Sequence, residues 1–116
     1  MAYKVKLTKL AEMDAYSAYE YIQEVAPESA DKWIMGLFSA IMTLNEMPTR
    51  CPVIPEANEL EYRAHQLLYG KKGSTYRIIF DIQEASEEGK RVRILRIWHG
   101  SLDKISSGDI ENKFLH

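Results

Sequence analysis

The chain has 116 residues, 46% hydrophobic and 28% charged, which is room for one domain with one modest core and none for a second. A single cysteine, Cys51, excludes an internal disulfide and points to a reducing, cytoplasmic setting; no apolar run approaches the roughly 20 residues of a membrane helix, and Met1-Ala2-Tyr3-Lys4 has no apolar stretch behind it to serve as an export signal. The net charge of −2 argues against a phosphate-binding surface overall, yet residues 1–61 carry five Lys/Arg against ten Asp/Glu while residues 62–100 carry eight against four, so the positive charge is gathered in one segment.

Tyr3-Lys4-Val5-Lys6-Leu7 alternates apolar and polar residues, which predicts a half-buried opening strand, and Thr8 is placed to cap a following helix. From Lys9 to Ala26 a stripe of Ala11, Ala15, Ala18, Tyr19, Ile22 and Val25 predicts an amphipathic helix that Pro27 breaks. Pro27 and Glu28 suit the first turn of a second helix, whose stripe of Ala30, Trp33, Ile34, Leu37, Phe38, Ile41 and Leu44 runs to about Met47, where Pro48 stops it. The short connection predicts an antiparallel helical hairpin, with Tyr16, Tyr19, Tyr21 and Trp33 in its core.

Three prolines between Pro48 and Glu56 make that stretch a surface loop. Tyr62–Tyr69, Ser74–Gln83 and Arg91–His99 then read as a three-stranded meander separated by Gly70-Lys71-Lys72-Gly73 and the polar run Glu84–Lys90. The expected fold is α+β: a strand, a helical hairpin and three strands, with the helices on one face of a small, mostly antiparallel sheet and the other face open. Residues 1–105 form the domain, and 106–116 a polar tail, weakly helical or frayed.

Strand parity sets Arg77, Ile79 and Asp81 opposite a core set of Ile78, Phe80 and Ile82, aiming Arg77 at the open face. The same alternation buries Leu95 and Ile97 and turns Ile94, Arg96 and Trp98 outward. Arg77 and Arg96 on one surface suit a phosphate or an acidic partner; the plainer alternative is that each pairs with a carboxylate on the sheet. Three dispersed histidines and one cysteine show no metal-ligand spacing.

The element order, with Tyr76-Arg77-Ile78-Ile79-Phe80 in the third strand, Arg93-Ile94-Leu95-Arg96-Ile97-Trp98-His99-Gly100 in the last and a proline closing the second helix, resembles the RelE/ParE superfamily over nearly the whole chain. The resemblance implies the toxin of a type II toxin–antitoxin, plasmid-stabilisation type of module. Such a toxin inhibits growth when free, needs no cofactor and is neutralised by a cognate antitoxin, as a homodimer or within a heterotetramer. An exposed apolar strip beside the helices is expected to receive an amphipathic antitoxin helix. Members act either as ribosome-dependent endoribonucleases on mRNA or, in the ParE branch, on DNA gyrase.

Ribonucleolytic members attack through a ribose 2′-hydroxyl and need a proton acceptor, a proton donor and cations for the phosphorane charge. Arg77 matches the third-strand arginine of that family, whereas Gln66-Leu67-Leu68 stands where basic residues are frequent, Leu102 replaces an arginine, and Ser106-Ser107-Gly108 occupies the place of a tyrosine. A rearranged catalytic set would draw on Arg77, Arg96 and His65, with Lys71, Lys72, Arg63 and Arg93 binding phosphate or target. His99 and Cys51 read as structural. The departures favour a ParE-like action over a ribonuclease, with a non-toxic antitoxin-binding member as a third reading.

Overall fold

A computed structural model describes residues 2–60, 63–85, 87, 89–100, 102 and 104–110. The order is β1 (Lys4–Leu7), α1 (Lys9–Val25), α2 (Pro27–Met42), β2 (His65–Lys71), β3 (Ser74–Gln83), β4 (Arg91–His99) and a short α3 (Ser107–Ile110), with 3-10 turns at Thr43–Asn45, Pro48–Arg50 and Pro55–Glu59. The strands form one sheet in the order β1-β4-β3-β2; β1 runs parallel to β4 and the other pairs are antiparallel. This is the α+β arrangement expected from the residue pattern, a strand and a helical hairpin followed by three strands in one sheet.

Thr8 ties the first elements together. Its Oγ1 accepts from the Ala11 N–H at 3.3 Å, capping α1, and donates to the Ile94 carbonyl at 2.8 Å, so the turn out of β1 is pinned to β4. α2 ends at Met42 rather than near Met47. The Arg50 guanidinium holds the segment that follows, donating to the carbonyls of Thr43, Glu46 and Met47. The predicted start of β2 at Tyr62 lies outside the described residues, and β2 is traced from His65.

The principal core lies between the helices and the sheet. Ala11 and Ala15 of α1 and Leu37 and Ile41 of α2 pack with Leu44 against Tyr76, Ile78, Phe80, Val92, Ile94 and Ile97. Three residues of the predicted helical core are corrected: Tyr16, Tyr21 and Val25 are each about 60% exposed, because the face that α1 buries is formed by Leu10, Ala11 and Ala15 and these three side chains fall outside it. Trp33 is packed as expected, edge-on to Tyr76 at 5.1 Å.

The strand parity predicted for β4 fails at one place. Ile79 faces Arg96 but Phe80 faces Ile94, so Leu95 is an extra residue, a β-bulge. The bulge shifts the alternation: Ile94 is fully buried on the helix side, whereas Leu95 joins Arg96 and Trp98 on the other.

That other face is not open, contrary to expectation. Ile54, Ala64, Ile79, Leu95, Ile105 and Ile110 form a second buried cluster, with Ala57, Leu60 and Trp98 at its margin. The proline-containing segment and the first part of the tail therefore lie over the sheet as a thin second layer. The tail beyond Ile110 falls outside the described residues.

At Gly36, α2 comes close to the Tyr69 side chain of β2. A Cβ there would fall on the Tyr69 hydroxyl, which donates to the Trp33 carbonyl at 2.8 Å. Gly36→Ala is expected to cost about 1–3 kcal/mol through overpacking. Urea denaturation should show that cost reduced in a Tyr69→Phe background, where the clashing oxygen is gone.

Candidate functional site

β3 carries Arg77 on the outer face, and the 3-10 turn at Pro55–Glu59 brings Glu56 over it. The guanidinium makes two parallel bonds to the carboxylate, Nη1 to Oε2 at 2.9 Å and Nη2 to Oε1 at 2.6 Å, while Nε donates to Gln66 Oε1 at 2.8 Å. Glu56 is only 5% exposed, and its Oε2 also accepts the Ile105 N–H at 3.1 Å. Hydrogen bonding from Arg77, with the Ile105 amide, holds the Glu56 carboxyl down to about 2 against the opposing pull of burial.

Arg96 is committed in the same way but by different elements. Its Nε and Nη2 donate to the two oxygens of Asp14 on α1 at 2.7 and 2.8 Å, and Nη1 donates to the Asp109 carbonyl in α3 at 2.6 Å. Asp14 additionally accepts the Ile97 N–H at 2.9 Å, along the stretch of β4 beyond its pairing with β1. The hydrogen bond to Asp14 raises the already high Arg96 pKa against desolvation. The guanidinium also stacks over Trp98 at 4.9 Å.

Arg77 and Arg96 therefore do share one face, on adjacent strands, but each is locked to a carboxylate. His65 is on the opposite side of the sheet: it pairs with Phe80, stacks on that ring at 5.6 Å, and places Nδ1 2.8 Å from the Cys51 carbonyl, which fixes Nδ1 as the N–H donor. The sheet thus separates His65 from both arginines. Arg93 lies toward the other end of β4 and makes a forked pair with Asp81, at 3.1 and 2.5 Å. Lys71 and Lys72 are exposed at the β2–β3 hairpin tip, where Gly73 takes a positive φ of 88°, and Arg63 is exposed just ahead of β2, at the other end of that strand.

Cys51 is buried, and burial pushes its thiol pKa up, which keeps it protonated and poorly nucleophilic. His99 stands edge-on to Tyr76 at 4.8 Å, and the following Gly100 N–H donates to the Thr75 carbonyl at 2.8 Å. A Cβ at Gly100 would meet that carbonyl oxygen at 3.0 Å, so the His-Gly ending of β4 serves close strand packing. Among the described residues no three His, Cys, Asp or Glu side chains converge as a metal site, and no helix is long and apolar enough to cross a membrane.

The outer side of α2 presents a different feature. Met35, Phe38 and Met42, at a spacing of three and four, are 69%, 38% and 54% exposed and form an apolar stripe facing away from the core. A stripe of two methionines and an aromatic ring is adaptable enough to accept a partner's apolar side chains.

The fold agrees with one comparison with known proteins. A family model described as ParE toxin of type II toxin-antitoxin system, parDE, matches residues 5–103. The chain belongs to the ParE toxin family. No curated protein matches it. Membership in the ParE family identifies the chain as the toxin component of a type II module and implies an antitoxin partner.

In this ParE-family chain the residues that sequence reasoning missed are the acidic partners. Asp14 was detectable in outline, since it lies beside Ala11, Ala15 and Ala18 on the sheet-facing side of α1, an odd place for an unpaired carboxylate. Glu56 gave no such signal. It stands in a proline-containing turn, 21 positions from the arginine it meets, and only the folding of that turn over β3 brings the two together.

Proposed function

We propose that this ParE-family toxin inhibits growth by acting on DNA gyrase and not by cutting mRNA. The observation that carries the reading is the pairing of both outer-face arginines with carboxylates, Arg77 with the buried Glu56 and Arg96 with the partly buried Asp14. A phosphate seeking Arg77 must displace Glu56, and one seeking Arg96 must displace Asp14. Breaking a buried pair of this kind costs several kcal/mol before any transition-state charge is met. The one histidine suited to acid or base work on β2 lies across the sheet, out of reach of either guanidinium.

The antitoxin, on this reading, covers the Met35, Phe38 and Met42 stripe with the apolar face of a helix, and the free toxin works in the cytoplasm, where gyrase is found. Gyrase incubated with the purified chain is expected to lose supercoiling activity or to accumulate cleaved DNA. Unchanged supercoiling and cleavage, together with cuts in translated mRNA, would overturn the proposal in favour of the ribonuclease.

A further inference from the structure

The sheet has two edge strands, β1 and β2, and the chain begins a further strand on β2 without finishing it. Val53 bridges His65 in the antiparallel sense; the Ile54 N–H donates to the Ala64 carbonyl and the Gln66 N–H to the Pro52 carbonyl, both at 3.0 Å. Pro52 has no N–H to return to the Gln66 carbonyl. Just before it, Pro48–Arg50 coils into a 3-10 turn, and the Arg50 and Cys51 N–H groups go to the Met47 and Pro48 carbonyls. The added strand therefore ends at Pro52, and its continuation along β2 is missing.

The edge beyond that point is open. The tip at Lys72-Gly73 closes on the Lys71–Ser74 pair, so Leu67 and Tyr69 exchange hydrogen bonds with β3 while Gln66 and Leu68 turn their N–H and C=O groups outward, in agreement with the Gln66 bond to Pro52. Among the described residues nothing pairs with the Gln66 carbonyl or with the backbone of Leu68 on that side. Beside it is a cavity of about 400 Å³ lined by Arg50, Cys51, Pro52, Gln66, Leu67 and Leu68, with no carboxylate among them. The Leu68 side chain is 58% exposed, and a strand laid along the edge would cover it. Arg50 stands at one end of this groove, its guanidinium bonded to the Thr43, Glu46 and Met47 carbonyls, and Lys71 and Lys72 are exposed at the other. None of these three cations makes an ion pair among the described residues.

We propose that the open half of the β2 edge is a docking site for an extended segment of a partner protein in which apolar residues alternate with carboxylates. The segment takes up the strand where Pro52 ends it, bonding to the Gln66 carbonyl and to both backbone groups of Leu68. Alternation sets its apolar residue beside Leu68 on the outer face and turns the neighbouring carboxylates to the face that carries Lys71. A second copy is a poor occupant. Pairing its β2 antiparallel about Tyr69 carries its Lys72 to Gln66, beside Arg50, and pairing about Leu68 carries its Gly70 into the place that Pro52 fills. Nucleic acid also fits less well, because strong phosphate binding draws on about six to ten contacts and makes no use of an open strand edge. The assignment depends neither on the toxin's target nor on the α2 stripe, so gyrase results leave it standing or falling on its own.

An eight-residue peptide alternating glutamate with valine, added to the full chain, is expected to shift the Leu68 amide in NMR spectra and protect it from exchange. N-methylation at every second peptide residue, made in both frames, should abolish binding in the frame that faces β2. Lys71→Glu with Lys72→Glu should weaken binding roughly tenfold while the circular dichroism spectrum is unchanged. Loss of wild-type affinity between about 50 and 300 mM salt reports the same charge dependence without any variant. Four results would each overturn the proposal: no binding at about 1 mM peptide, protection on β1 in place of Leu68, undiminished binding by both N-methylated peptides, or tighter binding of an eight-nucleotide oligothymidylate at the same amide. Protection of Leu68 that rises with protein concentration in the absence of peptide would overturn it too, in favour of a second copy.

Discussion

Arg77→Met is expected to lower stability by about 3–5 kcal/mol at neutral pH, the usual cost of removing one partner from a buried ion pair. For a domain of this size that corresponds to a fall of roughly 12–20 °C in the thermal midpoint. The cost is large because the change leaves Glu56 charged and 5% exposed, with the backbone amides of Ile105 and of Glu56 itself but no cation to answer it. The pH dependence gives the sharper test. In the wild-type chain the Glu56 pKa is depressed to about 2, below its ordinary value of 4.5. Its contribution is therefore fully present above about pH 4.5 and is lost as pH falls toward 2. In the variant the carboxyl has no cation, so protonation relieves it instead. Thermal unfolding followed from pH 7 to pH 2.5 should show the gap between the two proteins narrowing in acid. A gap that stays constant would mean that the pair does not operate as described. Glu56→Gln combined with Arg77→Met should recover part of the loss, since no buried charge is left unanswered.

The second large effect is expected at Asp14. Asp14→Ala removes two acceptors from Arg96 and the acceptor for the Ile97 amide in one change, leaving a partly buried guanidinium and a strand amide unsatisfied. About 3 kcal/mol is the expected cost. Arg96 also holds the Asp109 carbonyl, so Arg96→Ala should loosen the tail segment as well. Hydrogen exchange reads that out: the Ile105 and Ile110 amides should exchange faster in Arg96→Ala, and less so in Asp14→Ala, where the Asp109 bond is kept. In a double-mutant cycle the two changes should be strongly non-additive, because they break the same pair. Additive losses would show that Arg96 and Asp14 contribute separately.

Both predictions concern residues that looked like candidates for catalysis, and the reason is instructive. Two-residue alternation along β3 put Arg77 on the face away from the helices, and it does point there. Alternation cannot report what lies above that face. Ile54, Ile105 and Ile110 occur in stretches too short and too irregular for a period, so nothing in their spacing marked them as a second apolar layer. The bulge at Leu95 was hidden for a related reason: in Arg93-Ile94-Leu95-Arg96-Ile97 either apolar neighbour fits the core side, and only the register against Ile79 and Phe80 decides between them.

The order of elements, the break at Pro27, the hairpin tip at Lys72-Gly73 and most of the helix-side core were legible in the residue pattern, because hydrophobic period and turn chemistry are local properties of a chain. So was the resemblance to the ParE family, which rests on the order of those same elements. The fate of the charges was not legible. Whether an arginine meets phosphate, solvent or a carboxylate depends on contacts between segments 21 and 82 positions apart in the sequence. Such contacts exist only after the chain has closed on itself, and here the tertiary structure spends both outer-face arginines on holding the turn, α1 and the tail to the sheet.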